Sequence, residues 1–404
     1  MQASRSRLIS LLTEACELEH GLACSYLFAA FSIKQDLDEG GLSWKQLQAV
    51  RLWASEIYMV AAEEMLHLAQ AWNILAAVGG SPYYLRPNFP QRRSYYGFDL
   101  PLALERFGPS ALHRFVSYET PADQLILPVD TRTDDDAPAA YRSVGELYAL
   151  IREQILNLPE DQLFFQGAQG EMGPDITHFP NIIPIKDRAS ALAAIDMITE
   201  QGEGTDYDRG DSHFAVFQRT LASLVREKER DPAFEPARPV LENPVPRIRG
   251  DWNAHGKINL IRDPFASQLG DLFDDVYSLM LRLLQHAFAS GPASKVAELF
   301  CDTAINAMTT VIKPLGEALA KISSGRGDGS HAGAAFGLTR HVTLPAPESI
   351  ALAVAAECAH ELAETAAELA TSEHAPGQLG VAEANLKQIA DALASARWPP
   401  ANVT

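Results

Sequence analysis

Positive charge is scarce in this chain: 33 Lys and Arg residues face 52 Asp and Glu residues, and the net charge is −19 over 404 residues. Nucleic-acid backbones and anionic membrane surfaces are bound through clustered Lys and Arg, so this balance argues against both as partners. No run approaches the ~20 consecutive apolar residues that a membrane-spanning helix needs. The stretch Leu8 to Leu12 is too short for the core of a signal peptide, and Glu14 follows it. We expect a protein of the cytoplasm.

Cysteine is also rare. The chain has four, at Cys16, Cys24, Cys301 and Cys358, and no two of them form a CxxC pair. Their spacing therefore predicts neither a disulfide framework nor a zinc cluster. We interpret them as buried thiols in the reduced state.

Helical periodicity, by contrast, is abundant in the first half of the chain. Apolar residues recur at steps of three and four, which predicts amphipathic helices. Capping residues and helix breakers set their limits. The predicted helices cover the first forty residues, the stretch from Ser43 to the Gly79-Gly80 stop, the stretch from Ser143 to just before Pro159, and a stretch from about Ala189. Gly202, Gly204 and Gly210 interrupt the fourth helix, because glycine is a poor helix former, and the periodicity resumes at Phe214.

The second half begins with a change in composition. Five prolines between Pro232 and Pro246 indicate an extended linker, and helical patterns follow it, with Pro314 forcing a kink or break in one of them. The Gly- and Pro-rich segment 166–185 is expected to be loop with short strands. We predict a mainly α protein, with a four-helix bundle at residues 1–231, a Pro-rich linker at 232–262 and an additional helical region at 263–404.

Ionisable side chains occupy the apolar faces of three of the predicted bundle helices. Glu19 lies in the inner stripe of the first helix, Glu64 and His67 lie one turn apart in that of the second, and Glu146 shares a face with Leu150 in the third. A buried ionised carboxylate is costly unless it is paired or bound to a metal, and these stripes contain no Lys or Arg. A bound metal is the simplest explanation, with a structural polar network as the alternative. Mixed carboxylate and imidazole ligands suit iron or manganese better than calcium.

The sequence does not decide which residue of the fourth helix would bind the metal. Di-iron bundles use a Glu from each of two helices and a Glu-x-x-His unit from each of the other two. Glu64 and His67 form one such unit. Glu200 and Glu203 compete for one further role, but the next histidine is His213, about 15 Å beyond Glu203 on a continuous helix. His213 can join the site only if residues 204–211 loop out and the helix restarts beside its own end.

Several segments resemble known proteins. The run EEMLHLAQ (63–70) followed by Gly79-Gly80 resembles the second helix of ferritins, and Leu18-Glu19-His20 with the later Tyr26 resembles their first. The chain is more similar still to the ferritin-like, iminophenyl-pyruvate dimer synthase-like family, whose relatives include the violacein-type and rebeccamycin-type chromopyrrolic acid pathway proteins. The segments that carry this resemblance are LEHGLACSYLFAA (18–30), VGELY (144–148), QGEGT (201–205) and SHFAVF (212–217).

The resemblance implies a ferritin-like four-helix bundle, with the C-terminal all-helical region as an addition to it. Together with the buried acids it implies a dinuclear non-haem iron centre, or manganese in its place, held by Glu19, Glu64, His67, Glu146, Glu200, Glu203 and His213. Glu64 and Glu146 are the predicted catalytic residues, as carboxylates that bridge the metals. We expect dioxygen or peroxide to oxidise a small amino-acid-derived molecule in specialised metabolism. No organic cofactor is expected, and a homodimer is the candidate assembly.

Two other functions remain open at this stage. One is an imine-dimer-synthase-like protein or metal-poor scaffold that binds a reactive biosynthetic intermediate. The other is iron or peroxide handling in the manner of ferritins, although the long C-terminal region argues against a ferritin cage. Metal content and the response of oxygen consumption to an organic substrate separate the three.

Overall fold

A computed structural model describes residues 4–91, 95–96, 100–121, 124, 141–165, 170–204, 210–248, 258–338 and 340–396. The described helices are α1 Arg5–Ser32, α2 Trp44–Ala77, α3 Pro109–Tyr118, α4 Val144–Asn157, α5 Glu160–Leu163, α6 Pro174–Thr177, α7 Arg188–Gly202, α8 His213–Arg230, α9 Pro264–Ser290, α10 Ala297–Ala307, α11 Lys313–Leu319, α12 Glu348–Ala370 and α13 Gly377–Ser395. A 3₁₀ turn covers Leu37–Glu39 and a π-helix covers Met308–Ile312. Strands β1 Pro244–Val245 and β2 Asn259–Leu260 form one short parallel pair.

Four helices surround the candidate site. Helix α1 contacts α2 and α4, and α7 contacts the same two, so the four close into a bundle. The predicted caps are confirmed: the side chains of Ser43 and Ser143 accept hydrogen bonds from the backbone N–H of Gln46 and Glu146, respectively. Each cap satisfies a donor that the first helical turn leaves free. The predicted mainly α fold with a four-helix bundle is therefore confirmed.

Helix α1 is covered on every side. All residues from Leu18 to Tyr26 are buried, which is the pattern of a helix in the interior of a large protein rather than on its surface. Segments outside the four bundle helices complete this cover, since Tyr84 and Arg86 of the loop after α2 contact His20 and Cys24, respectively. Tyr277 of α9 contacts His20 and Cys24 of α1. None of the four cysteines is disulfide-bonded, and Cys16, Cys24 and Cys301 are buried.

The C-terminal region is helical, as predicted. Helices α12 and α13 pack against each other, and α9 packs on α10 and α12. Pro314 lies in the first turn of α11, directly after the π-helix, where a missing backbone N–H costs little. Among the helices of the described ranges, none combines the length and apolar character needed to cross a bilayer.

The segment 232–262 differs from the extended linker that its prolines predict. Its described part packs against the bundle, with Phe234 and Arg238 both 1% exposed. The Arg238 guanidinium donates to both oxygens of Glu39 and to the backbone carbonyls of Phe31 and Ile33. These bonds tie the segment to the end of α1. The short strands expected in 166–185 are absent from its described residues 170–185, and the domain boundaries at 231 and 262 stay a prediction.

Candidate metal centre

Three of the predicted site residues meet between α1 and α2. Glu19, Glu64 and His67 are each at most 2% exposed. The His67 Nδ1 atom lies 3.3 Å from Glu64 Oε2 and 3.8 Å from Glu19 Oε2. The spacing of one helical turn between Glu64 and His67 puts both on the same face of α2, as the sequence pattern predicts.

His213 reaches the same place because the chain turns back after α7. Gly204 has φ +87°, a left-handed conformation that glycine adopts without strain, and α8 begins at His213 with Ser212 as its N-cap. His213 is fully buried, and its Nδ1 lies 2.8 Å from Glu64 Oε1. The positions of Gly204 and His213 agree with the expectation that the helix restarts beside its own end. Residues 205–209 lie outside the described ranges.

A fifth side chain, that of Glu119, lies with these four residues, although the sequence patterns did not single it out. It caps the C-terminus of α3, is 3% exposed, and places Oε2 at 3.8 Å from His213 Nδ1. Gly202 makes room for it, since a Cβ atom there would lie 3.3 Å from this oxygen. The sequence contains one indication of this role. A negative charge at the C-terminus of a helix opposes the helix dipole, which is unfavourable unless another interaction compensates for it.

Glu64 lies at the centre of these five residues, which we call the carboxylate–histidine cluster (Glu19, Glu64, His67, Glu119 and His213). One of its oxygens faces His67 and the other faces His213. Each histidine has a second carboxylate at 3.8 Å, Glu19 for His67 and Glu119 for His213. The cluster therefore consists of two Glu–His pairs with one shared carboxylate between them.

Hydrogen bonds from outside the cluster orient both imidazoles. His67 Nε2 lies 2.9 Å from Gln201 Oε1, and His213 Nε2 lies 3.0 Å from Glu63 Oε2. Both partner oxygens are acceptors, so each Nε2 carries the hydrogen and donates it. In a neutral imidazole the Nδ1 atom then presents only a lone pair to the carboxylates. Metal-binding histidines are held in this way by their second nitrogen.

Two tyrosines hold the outer carboxylates. The Tyr148 hydroxyl on α4 donates to Glu19 Oε1 at 2.7 Å, and the Tyr26 hydroxyl on α1 donates to Glu119 Oε1. Burial and the adjacent carboxylates raise the pKa of both phenols well above the usual value, so both stay protonated and act as donors. Tyr148 was missed in the sequence, although a tyrosine on a buried face usually requires a polar partner.

The cluster fits a bound cation. Glu19 Oε2, Glu64 Oε1 and His213 Nδ1 are fully buried, and no described residue outside the cluster donates a hydrogen bond to them. Three carboxylates around two imidazoles carry excess negative charge, which is costly to bury. Oxygen and imidazole donors in this mixture suit iron or manganese.

The pKa values follow from burial and from this concentration of charge. Burial and the Glu64 charge raise the pKa of Glu19 well above its usual value, and burial with the Glu119 charge raises that of Glu64. Burial also lowers the pKa of His67. For His213 burial acts in the same direction, but the surrounding carboxylates, Glu64 foremost, outweigh it and hold its pKa well above the usual value. Protons on these groups would take the place of the missing positive charge.

Two of the other predicted ligands, Glu146 and Glu203, contact residues outside the cluster. Glu146 is only half-buried in the first turn of α4, where its carboxylate accepts hydrogen bonds from the backbone N–H (2.6 Å) and the guanidinium (2.9 Å) of Arg142. The structure does not bring it into the cluster, because a Glu three residues after an N-cap reaches back toward the free backbone donors. Glu203 is half-buried, 3.5 Å from the Ser143 hydroxyl, and Glu200 is half-buried near the end of α7. Their roles as ligands stay predictions.

Comparison with known proteins identifies relatives of the chain. It is 32% identical to the dichlorochromopyrrolate synthase of Lentzea aerocolonigenes over 382 aligned residues, which cover 83% of this chain and 36% of that protein. It is 30% identical to the 2-imino-3-(indol-3-yl)propanoate dimerase of Chromobacterium violaceum over 352 residues, which cover 80% of this chain and 33% of that protein. The chain thus spans about a third of the length of the curated relatives that it matches.

The fold has relatives among solved structures as well. The crystal structure of a ferritin-like protein from Caulobacter vibrioides superposes with a TM-score of 0.51 at 18% identity, covering 84% of this chain and 99% of that one. That likeness concerns the fold alone. The family model described as ferritin-like matches residues 12–222, more than half of the sequence and all five residues of the cluster. The chain belongs to the ferritin-like family.

Proposed function

We propose that the chain is an oxidative enzyme of specialised metabolism whose carboxylate–histidine cluster holds two iron ions, with manganese as the alternative metal. The observation that supports this most is the position of Glu64 between two Glu–His pairs, where no described residue outside the cluster donates to Glu19 Oε2, Glu64 Oε1 or His213 Nδ1. Each pair, together with one oxygen of Glu64, offers one metal an imidazole and two carboxylates. Iron bound by such ligands would supply electrons and activate dioxygen or peroxide.

The protein's own residues would hold this centre in place. Gln201 and Glu63 keep both Nδ1 lone pairs directed inward, and Tyr148 and Tyr26 keep the outer carboxylates in position. The nearly complete burial of the cluster keeps bulk water away, which prevents side reactions of activated oxygen. Glu64, the shared carboxylate, is the residue that we assign as catalytic. We do not extend that role to Glu146, because Arg142 engages its carboxylate.

The substrate class is inferred from the relatives. Their names refer to a dichlorochromopyrrolate and to the dimerisation of 2-imino-3-(indol-3-yl)propanoate. We therefore propose a small molecule derived from an amino acid as the substrate. The same names support a second candidate function, dimerisation of an imine without metal, in which the cluster would be a structural polar network.

Metal analysis tests the proposal, and two single substitutions sharpen it. Protein prepared with iron under anaerobic conditions should contain about two iron ions per chain. Glu119→Ala should lower this to about one or less, because it removes a carboxylate from one Glu–His pair. Glu146→Ala removes the same group from the same bundle but outside the cluster, and should leave the iron content unchanged. If Glu146→Ala loses metal and Glu119→Ala retains it, the ligand set predicted from the sequence is supported and the ligand set proposed here, with Glu119, is contradicted.

Metal binding should also release protons. In the metal-free protein the raised pKa values of Glu19, Glu64 and His213 favour the protonated forms of these groups, whereas metal ligands must be deprotonated. Because the pKa of His213 is higher in the folded protein than in the unfolded chain, its proton stabilises the metal-free fold at pH values below the pKa of the unfolded chain. This contribution is lost as the pH rises through the pKa of the folded protein. Affinity for metal should therefore rise with pH.

Calorimetric titration with Mn²⁺ in buffers of different ionisation enthalpy measures this release. We expect about one or more protons per chain. The double variant Glu64→Ala/His67→Ala serves as the control, with no release. A binding enthalpy that is the same in every buffer would mean that the cluster is already deprotonated, contrary to the prediction.

A further inference from the structure

A cavity of about 660 Å³ lies between the bundle and the C-terminal helices. Helices α1 and α2 form one wall, and α9, α10 and the π-helix Met308–Ile312 form the other. This volume is within the range of small-molecule sites in proteins. A π-helix is rare and often marks a functional site, and here three of its five residues, Met308, Thr309 and Ile312, line the cavity.

The inner surface of this cavity is apolar and accommodating. Helices α1 and α2 contribute small side chains to it, namely Ala23, Ala30, Ala54, Ala61 and Ala62. Methionines line it from both walls, Met65 from α2 and Met280 and Met308 from the opposite side. Alanines leave room for a ring system, and the flexible methionine side chain adapts to its shape.

The charge at this cavity is opposite to that of the chain. Its charged lining residues are three cations, Lys34, Arg51 and Lys313, and one acid, Glu317, in a protein of net charge −19. Glu317 is already engaged, since it accepts a hydrogen bond from Tyr58 (2.9 Å) and lies 3.9 Å from Lys313.

Lys34 and Arg51 are the cations left to bind an anion. The ammonium of Lys34 donates to the Gly40 carbonyl at 3.1 Å and interacts electrostatically with the carboxylates of Glu235 and Glu39. Arg51 donates to the Gln35 carbonyl at 2.8 Å. The exposed carboxylate of Asp36 is 3.7 Å from Arg51, and an exposed pair at that distance is weak. The ammonium of Lys34 and the guanidinium of Arg51 can therefore each donate a further hydrogen bond to an anion.

None of the five cluster residues is among those that line the cavity. Helices α1 and α2 are antiparallel, because Glu19 meets His67 at one level and Gln35 meets Arg51 at another. The lining residues nearest to the cluster along the chain are Ala23, one turn after Glu19, and Met65, directly after Glu64. From Arg51 to Met65 the helix rises about 21 Å, which is the approximate length of the cavity along α2.

We propose that this cavity binds a flat apolar carboxylate, with its ring system among the alanines and methionines and its carboxylate at Lys34 and Arg51. This binding does not require the metal and does not depend on the function proposed above.

Calorimetric titration of the metal-free protein with 2-naphthoate tests the binding. We expect one saturable site, and about 10-fold or greater weakening for 2-naphthamide, which has the same shape without the charge. The Lys34→Gln/Arg51→Gln variant should bind 2-naphthoate as weakly as the amide, while its affinity for the amide stays the same. Arg226→Gln, which removes an exposed arginine of α8 away from the cavity, is the matched control.

Two further variants test the location. Ala54→Phe fills the middle of the cavity and Ala62→Trp fills its exposed edge, and each should abolish binding of both naphthalenes. Ala222→Trp, at an exposed position of α8, should not. Circular dichroism checks that each variant is folded. Equal affinity for the acid and the amide, or unchanged binding in both filled variants, would overturn the proposal.

The two proposals fail separately. The Glu64→Ala/His67→Ala variant should bind 2-naphthoate as well as the unmodified chain does, and Ala54→Phe should still take up iron. Naphthoate binding without any iron uptake contradicts the metal function and supports the cavity. Iron uptake without naphthoate binding contradicts the cavity and supports the metal function.

Discussion

Replacing Glu64 and His67 together by alanine is expected to abolish metal binding and to leave the helical fold in place. Glu64 is the only residue of the cluster that faces both histidines, so its loss removes a ligand from each Glu–His pair, and His67 is the imidazole of one pair. Bound iron should fall from about two per chain to nearly none. Neither residue belongs to the apolar core that packs the helices together, so the helical fold should be retained.

Metal analysis and circular dichroism measure the two parts of this prediction. Glu56→Ala is the matched control, because Glu56 is on the same helix but forms a surface pair with Arg219. It should retain full iron content. If the double variant keeps its iron, the cluster is not the metal site and the function proposed for it is wrong.

Arg238→Ala should destabilise the fold by about 3–5 kcal/mol, the usual cost of breaking a buried ion pair by removing one partner. Arg238 is 1% exposed, and its removal takes the charged donor from the Glu39 carboxylate and the guanidinium donor from the carbonyls of Phe31 and Ile33. Chemical denaturation of the metal-free protein measures the change. Arg230→Ala removes an exposed arginine paired with Glu227 and should cost less than about 1 kcal/mol.

The pH dependence provides a second measurement on the same variant. Burial acts to raise the pKa of Glu39, but the hydrogen bonds and charge of Arg238 outweigh it and lower the pKa. A lowered pKa contributes stability above the unfolded value that is lost as the pH falls through the folded value. Between neutral pH and about pH 4 the unmodified protein should therefore lose more stability than Arg238→Ala does. Parallel losses would show that this ion pair contributes little to the fold.

Local sequence patterns are sufficient for much of this architecture. A serine followed by a helical period defines the start of α2 and of α4, since the cap and the first turn involve only neighbouring residues. The same period determines which side chains share a helix face, which is why Glu19, Glu64 and His67 meet as predicted. The same periodicity predicts the helices of the C-terminal region.

Contacts between distant segments account for the rest. Glu146 occupies the expected face but is drawn to Arg142 by the geometry of its own helix start, which periodicity does not describe. Glu119 joins the cluster because α3 packs on α8, and the period of a ten-residue helix carries no information about that contact. The cavity arises where α1 and α2 meet α9 and the π-helix, segments more than two hundred residues apart. Periodicity reports which faces are buried, whereas the choice of partner for each face depends on how the whole chain packs.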